Sequence, residues 1–267
     1  MIAASEVAGA AGLPFVLTEM SAGLNNAYDA PFAASFLVHT AAAFLGVPNV
    51  PTLSFWTFTD VFEEPGMNSV PYAETFGMQT KWGVPKPSYR ALQLIARLPT
   101  TGVPVVAVAG TEPSTSATRR GAAAGATATS GTVDVITAVD ATLGTTLRVS
   151  VLVTNFNMNI KDTEDPSQGL PIAPATVTLA FALPTGATPA ATATLTLLDS
   201  THGWAKPAWL AAGSPTYPNA SQIDTEMQAS AFGTTSAPLA LAGATLTLAL
   251  PIMEPYAVVL VEFELLL

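Results

Sequence analysis

The sequence contains no cysteine. Disulfide staples and thiolate metal sites are therefore excluded, while the compartment stays open, because secreted proteins can also lack cysteine. Histidine is nearly as scarce. His39 and His202 stand far apart, which leaves little material for a histidine-based zinc site or a Ser-His-Asp triad. Only 10% of the residues are charged, against 49% hydrophobic, a low charge fraction for a soluble protein. Positive charge is the rarer sign: 9 Lys and Arg face 19 Asp and Glu, a net charge of −10. Such a chain repels phosphate backbones and anionic head groups, so neither nucleic acid binding nor polybasic membrane attraction is expected. No apolar run is long enough to span a bilayer. The opening "MIAASEVAGAAGLPF" lacks a basic start and carries Glu6. It does not fit a signal peptide and reads as the middle of a protein rather than its beginning. No ligand-spaced His/Asp cluster and no phosphate-binding glycine loop occurs, so neither a metal nor an organic cofactor is expected.

What the chain has is length and pattern. Its 267 residues leave room for one large domain or two modest ones with a sizeable core. Residues 13–17, "LPFVL", form a short continuous apolar run, the signature of a strand buried on both faces, as in a parallel sheet. The run ends in Thr18-Glu19. Residues 30–47 predict a helix, with Phe32, Phe36, Ala43 and Phe44 at roughly helical spacing and Gly46 and Pro48 as stops. Residues 51–60, "PTLSFWTFTD", are strand-like, and 86–98, "KPSYRALQLIARL", predict a second helix. In that helix Pro87 sits near the first turn, and Tyr89, Leu92, Ile95 and Ala96 share one face. Strand, helix, strand, helix indicates α/β architecture.

The character changes near residue 100. A Thr/Ser/Ala/Gly stretch over 111–131 has no periodicity and reads as a long flexible loop. Alternating segments follow at 147–156, 175–183, 191–199, 244–251 and 256–265; in the second, Val177, Leu179, Phe181 and Leu183 lie on one face. Strands separated by turn signals predict an antiparallel β-sandwich. The expected division is an α/β part over residues 1–99 and an all-β part over 100–267.

Chemistry in parallel α/β folds gathers at the C-terminal ends of strands. Two acidic positions lie there: Glu19, and the group Asp60, Glu63 and Glu64 after "LSFWTF". Carboxylates beside aromatic walls suit sugar chemistry. One carboxylate attacks the anomeric carbon, another protonates the leaving oxygen, and in retaining glycosidases the two lie roughly 5–5.5 Å apart. Pattern alone leaves blander readings open. Glu19 also reads as a strand-end acid capping a loop, Trp56 as a core aromatic, and Glu63-Glu64 as a solvated loop before Pro65-Gly66.

Three blocks carry a resemblance: "PFVLTEM" (14–20), "SFWTFTDVFEEPG" (54–66) and "ETFGMQTKWGVPKPSYRALQLIARL" (74–98). Together they resemble the C-terminal third of the barrel of glycoside hydrolase family 39, which includes bacterial β-xylosidases and animal α-L-iduronidases. The second block is the most specific. Met20 departs from the aromatic usual after the glutamate. Residues 200–227, with their Trp and Gly-x-Pro before a short helix, resemble the family's sandwich segment. The resemblance implies the end of a (β/α)₈ TIM barrel, its last two strand–helix units, followed by an antiparallel β-sandwich. It implies Glu19 as the nucleophile on the seventh strand, and Trp56 as a wall of the sugar subsite on the eighth. Glu63 and Glu64 then hold sugar hydroxyls, and Asp60 fixes the loop. His39 reads as structural, His202 as remote from the site, and Trp204 and Trp209 as core packing rather than a carbohydrate platform.

The family's acid/base is a glutamate in an Asn-Glu-Pro motif on the fourth strand, and no such motif occurs in this sequence. The strands that carry it are expected upstream of Met1, since such barrels take about 250 residues. The expectation is thus a retaining glycosidase for terminal β-xylosyl-like residues, here without its acid/base. Expressed alone, the chain is expected to be inactive and prone to associate. The alternative is a non-catalytic carbohydrate-binding or structural sandwich module with a barrel remnant beside it. In the first reading the partner is a carbohydrate substrate. A secreted or lysosome-like setting is common in the family, and oligomeric state is not legible.

Overall fold

The structure is a computed structural model. It describes residues 8–9, 11–22, 28–45, 47, 49–61, 68–99, 126–128, 132–141, 144–156 and 174–267. The chain is a mixed α/β protein, mainly sheet with few helices. Strands β1 (Val16–Met20) and β2 (Thr52–Phe55) pair in parallel and flank helix α1 (Pro31–Phe44) in sequence. Helix α2 (Pro87–Ala96) follows. Both helices open on a proline, whose missing N–H and fixed φ suit the first helical turn.

All later strands are antiparallel. A four-stranded sheet runs in the order β10 (Ala240–Ala242), β11 (Thr245–Ala249), β6 (Val177–Ala182), β3 (Ala126–Ala128). A six-stranded sheet runs in the order β4 (Thr132–Asp140), β5 (Thr146–Phe156), β12 (Val258–Leu266), β8 (Thr192–Leu198), β9 (Gly233–Pro238), with β7 (Thr188–Pro189) also on β12. Helices α3 (Lys206–Ala211) and α4 (Ala220–Ala229) lie between β8 and β9 in sequence. Helix α4 begins with a full capping box, in which Asn219 and Gln222 each accept from the other's backbone N–H.

Side-chain alternation builds the core in layers. Val149, Val151 and Val153 of β5 and Val259, Val261 and Phe263 of β12 meet Val177, Leu179 and Phe181 of β6 and Leu246 and Leu248 of β11 in one buried cluster. The opposite faces of the same strands present Leu152, Val258 and Leu260 to Ala34, Leu37 and Val38 of α1 and to Ala91 and Leu94 of α2. The six-stranded sheet is thus covered on both faces, and β5 is buried continuously from Val149 to Phe156. A polar tie joins the layers where Ser35 Oγ lies 2.7 Å from Thr154 Oγ1. His39 of α1 stacks on Phe156 and pairs with Asp134 at 2.7 Å. This second core crosses the boundary expected near residue 100.

Three sequence expectations need correction. The strand expected over 13–17, buried on both faces, runs instead over Val16–Met20 and is largely exposed, with Leu13 and Val16 at 60% and 47%. Its sheet has two strands among the described residues; only its C-terminal end is covered, where Met20 and Phe55 pack against the core under α1 and α2. In α2 the buried residues are Pro87, Ser88, Ala91 and Leu94; of the expected face, Leu92 and Ile95 pack half-buried against the same core, Tyr89 is half-buried and Ala96 is exposed. The helix faces the sheet through the positions three apart that the larger side chains flank. Finally, residues 126–128 of the expected loop form strand β3 on β6; the rest of 111–131 lies outside the described residues.

Candidate functional site

The parallel pair shapes the site. Val16 pairs with Thr52 and Leu17 with Leu53, but Met20 pairs with Phe55, so β1 carries one extra residue at Thr18-Glu19. A bulge of this kind breaks alternation and re-aims a side chain. Consistent with that, Thr18 and Glu19 are both exposed although they are sequence neighbours. At the end of the pair the Trp56 N–H donates to Met20 O at 2.7 Å, which holds Trp56 at the strand end that carries Glu19. Glu19, Met20, Ser21, Trp56 and Phe76 line one open cleft of about 280 Å³. Trp56 is 37% exposed, and the Trp56–Thr57 peptide is cis. Glu63 and Glu64, the other two expected sugar contacts, lie outside the described residues.

Behind the cleft wall is a buried ionic cluster. Lys86, 1% exposed, places Nζ 2.6 Å from Asp29 Oδ1 and 2.7 Å from Asp60 Oδ2, and donates to Asp60 Oδ1 and Thr75 O. Asp60 Oδ1 also accepts from Gly77 N at 2.9 Å. Gly77 has no alternative at that spot: a Cβ there would lie 2.2 Å from Asp60 N. Asp60 therefore holds the Phe76-Gly77 backbone against the end of β2, where Thr57 N donates to Phe76 O and Met78 N to Thr57 O. Burial pushes the Asp60 carboxyl up to about 6, against the opposing pull of Lys86.

The same cluster reaches into the β-rich part. Asp29 and Glu74 exchange backbone-to-carboxylate hydrogen bonds at 3.1 and 2.9 Å. Glu74 pairs with Lys206 at the start of α3, and Trp204 Nε1 donates to Asp29 O at 2.7 Å. Trp204 is thus a hydrogen-bonded clasp, and Trp209 is buried against Tyr72 with its Nε1 donating to Pro215 O. His202 is bound to Asp199 in its own turn.

Sequence reasoning gave no role to Asp29, Glu74, Phe76, Lys86 or Lys206. Lys86 had a local signal: a lysine directly before Pro87 at a helix start. Its two carboxylate partners are distant in sequence, so no spacing rule reveals the cluster. Among the described residues, no group of three or more His, Cys, Asp or Glu is placed to hold a metal ion. No helix among them is long and apolar enough to cross a membrane.

Comparison with known proteins adds family and fold. The profile for glycosyl hydrolases family 39 matches residues 5–243. A β-xylosidase of Caldicellulosiruptor saccharolyticus is 44% identical over 71 residues, which is 27% of this chain and 14% of that relative. A monomeric β-xylosidase from Caulobacter crescentus superposes with a TM-score of 0.62 at 22% identity, over 95% of this chain and 46% of the other. A family 39 enzyme from Xanthomonas axonopodis pv. citri gives a TM-score of 0.62 at 21% identity, over 94% and 44%. The chain spans less than half the length of these solved structures, and at such identities the likeness speaks to the fold alone.

Proposed function

Because the chain belongs to glycosyl hydrolase family 39, we propose that it is the nucleophile-bearing part of a retaining glycosidase that removes terminal β-xylosyl residues. In this reading residues 1–99 are the last two strand–helix units of a (β/α)₈ barrel, and residues 100–267 are an accessory antiparallel sandwich. The observation that carries it is the meeting of Glu19 and Trp56 on one open cleft at the ends of two adjacent parallel strands.

The chemistry assigned to each group is as follows. Glu19 attacks the anomeric carbon and forms a glycosyl ester; water then releases the sugar with retention of configuration. Trp56 and Phe76 offer apolar faces to the pyranose ring. Glu63 and Glu64 accept hydrogen bonds from sugar hydroxyls. Asp60 and Lys86 hold the cleft wall and touch no substrate. The leaving oxygen needs a proton, and the 267 residues contain no Asn-Glu-Pro glutamate to supply it. The chain alone therefore has no turnover.

The test is complementation. The purified chain is assayed with an aryl β-xyloside alone, then after mixing with the strand–helix units of a family 39 β-xylosidase that carry the acid/base. The expected result is no turnover alone, turnover on mixing, and its loss with Glu19→Gln. Turnover by the chain alone, lost on Glu19→Gln, would overturn the two-part reading.

A further inference from the structure

Two aromatic rings stand in solvent around one lysine, far along the chain from the cleft residues of β1. Trp82 is 39% exposed and Tyr217 is 79% exposed. Lys81 Nζ lies 5.5 Å from the centre of the Trp82 ring and 5.6 Å from that of Tyr217. Single exposed aromatics are ordinary; two converging on one cation from segments distant in sequence are not.

Both segments are held rigid. The turn that presents Lys81 and Trp82 closes through Gly83 N donating to Thr80 O at 2.9 Å, with Gly83 at φ +78°. Thr80, fully buried, pins it further: its N–H donates to Val84 O, and its Oγ1 accepts from Val84 N. Tyr217 leaves a loop fixed on one side by Trp209 Nε1 donating to Pro215 O and on the other by the capping box at Asn219. Lys81 is fixed as well, donating to Asn68 O at 2.9 Å and Ser69 O at 2.7 Å. An ammonium has three protons, so one donor remains beyond these two.

Rigid exposed rings beside a fixed donor match the two sides of a pyranose. Its C–H face stacks on an aromatic ring, and its hydroxyls take a hydrogen bond from a cation. Prior ordering of all three groups lowers the entropic cost of binding. The net charge of −10 disfavours polyanionic glycans. We propose that Trp82, Tyr217 and Lys81 form a surface subsite for a neutral β-xylan chain. The choice of xylan rests on the function proposed above; the sugar-binding geometry does not.

The test is electrophoresis of the full 267-residue chain in native gels cast with soluble xylan. The chain should be retarded, and Trp82→Ala and Tyr217→Ala should each weaken retardation by about tenfold or more, as for aromatic anchors elsewhere. Lys81→Met should weaken it less, while Trp56→Ala keeps it. Unchanged circular dichroism checks that these surface variants are folded. Three results would overturn the proposal: no retardation of the folded parent, full retardation of the Trp82→Ala/Tyr217→Ala double variant, or retardation that follows Trp56 instead. Equal retardation by dextran would overturn the ligand class. A chain retarded through Trp82 and Tyr217 whose complemented form does not depend on Glu19 would keep this inference and overturn the proposed nucleophile.

Discussion

Strands β1 and β5 are both apolar and lie in the same chain, yet they sit in opposite environments. β5 carries a layer on each face and is buried from Val149 to Phe156. β1 has one described neighbour and leaves Val16, Thr18 and Glu19 in solvent. Burial is thus decided by what covers a strand rather than by its own composition. Exposure at β1 is also what makes Glu19 and Trp56 accessible from one cleft. The ionic cluster behind the cleft wall ties the first part of the chain to the β-rich part: Asp29 pairs with Lys86 and lies 3.9 Å from Lys206 at the start of α3.

Substitutions in each region test this contrast. The largest loss of stability is expected for Lys86→Met, which strands two buried carboxylates; removing one partner of a buried pair costs about 3–5 kcal/mol. Urea unfolding measures it. An effect under about 1 kcal/mol, the range of exposed pairs, would show that water reaches the cluster. Leu260→Ala opens a cavity between the six-stranded sheet and helices α1 and α2, where Leu260 is fully buried. Its expected cost is about 2–5 kcal/mol, with one cooperative transition. A two-step transition would contradict a core shared across residue 100.

Asp60→Asn gives a pH signature. The folded-state pKa of Asp60, about 6, lies above its ordinary value of 3.8, so the folded chain holds this proton more firmly than the unfolded one. The stability this contributes is present below about 3.8 and is lost as pH rises through about 6. Asp60→Asn should flatten that part of the pH–stability curve. The smallest effect is expected for Val16→Thr on β1, within about 0.5 kcal/mol for an exposed site; a core-sized loss would mean that β1 is covered in solution.

Legibility in the sequence followed the same contrast. The α/β order of the first part and five later strands could be read from runs and alternation, since each is a local pattern. Membership of glycosyl hydrolase family 39 was legible through the "FWTFTDVFEE" block rather than through spacing. Strand β4 was not read, because "TVDVITAVD" follows directly on a Thr/Ala-rich stretch whose composition hides a strand start. Exposure of β1 could not be read, because an apolar run does not report how many neighbours it has. The Lys86 cluster was invisible for the related reason that its partners meet only in the folded chain. Glu19 and Trp56 are brought to one cleft, while the positions of Glu63 and Glu64 lie outside the described residues.

The most direct measurement is to find which residue carries the sugar. The chain, complemented with the acid/base-bearing units of a family 39 β-xylosidase, is treated with an aryl 2-deoxy-2-fluoro-β-xyloside. This substrate forms the glycosyl ester and releases it slowly. Peptide mass spectrometry then locates the adduct. The fluoroxylosyl group is expected on Glu19, with no adduct in Glu19→Gln; a label on Glu63, on Glu64 or on the complementing units alone would contradict Glu19 as the nucleophile.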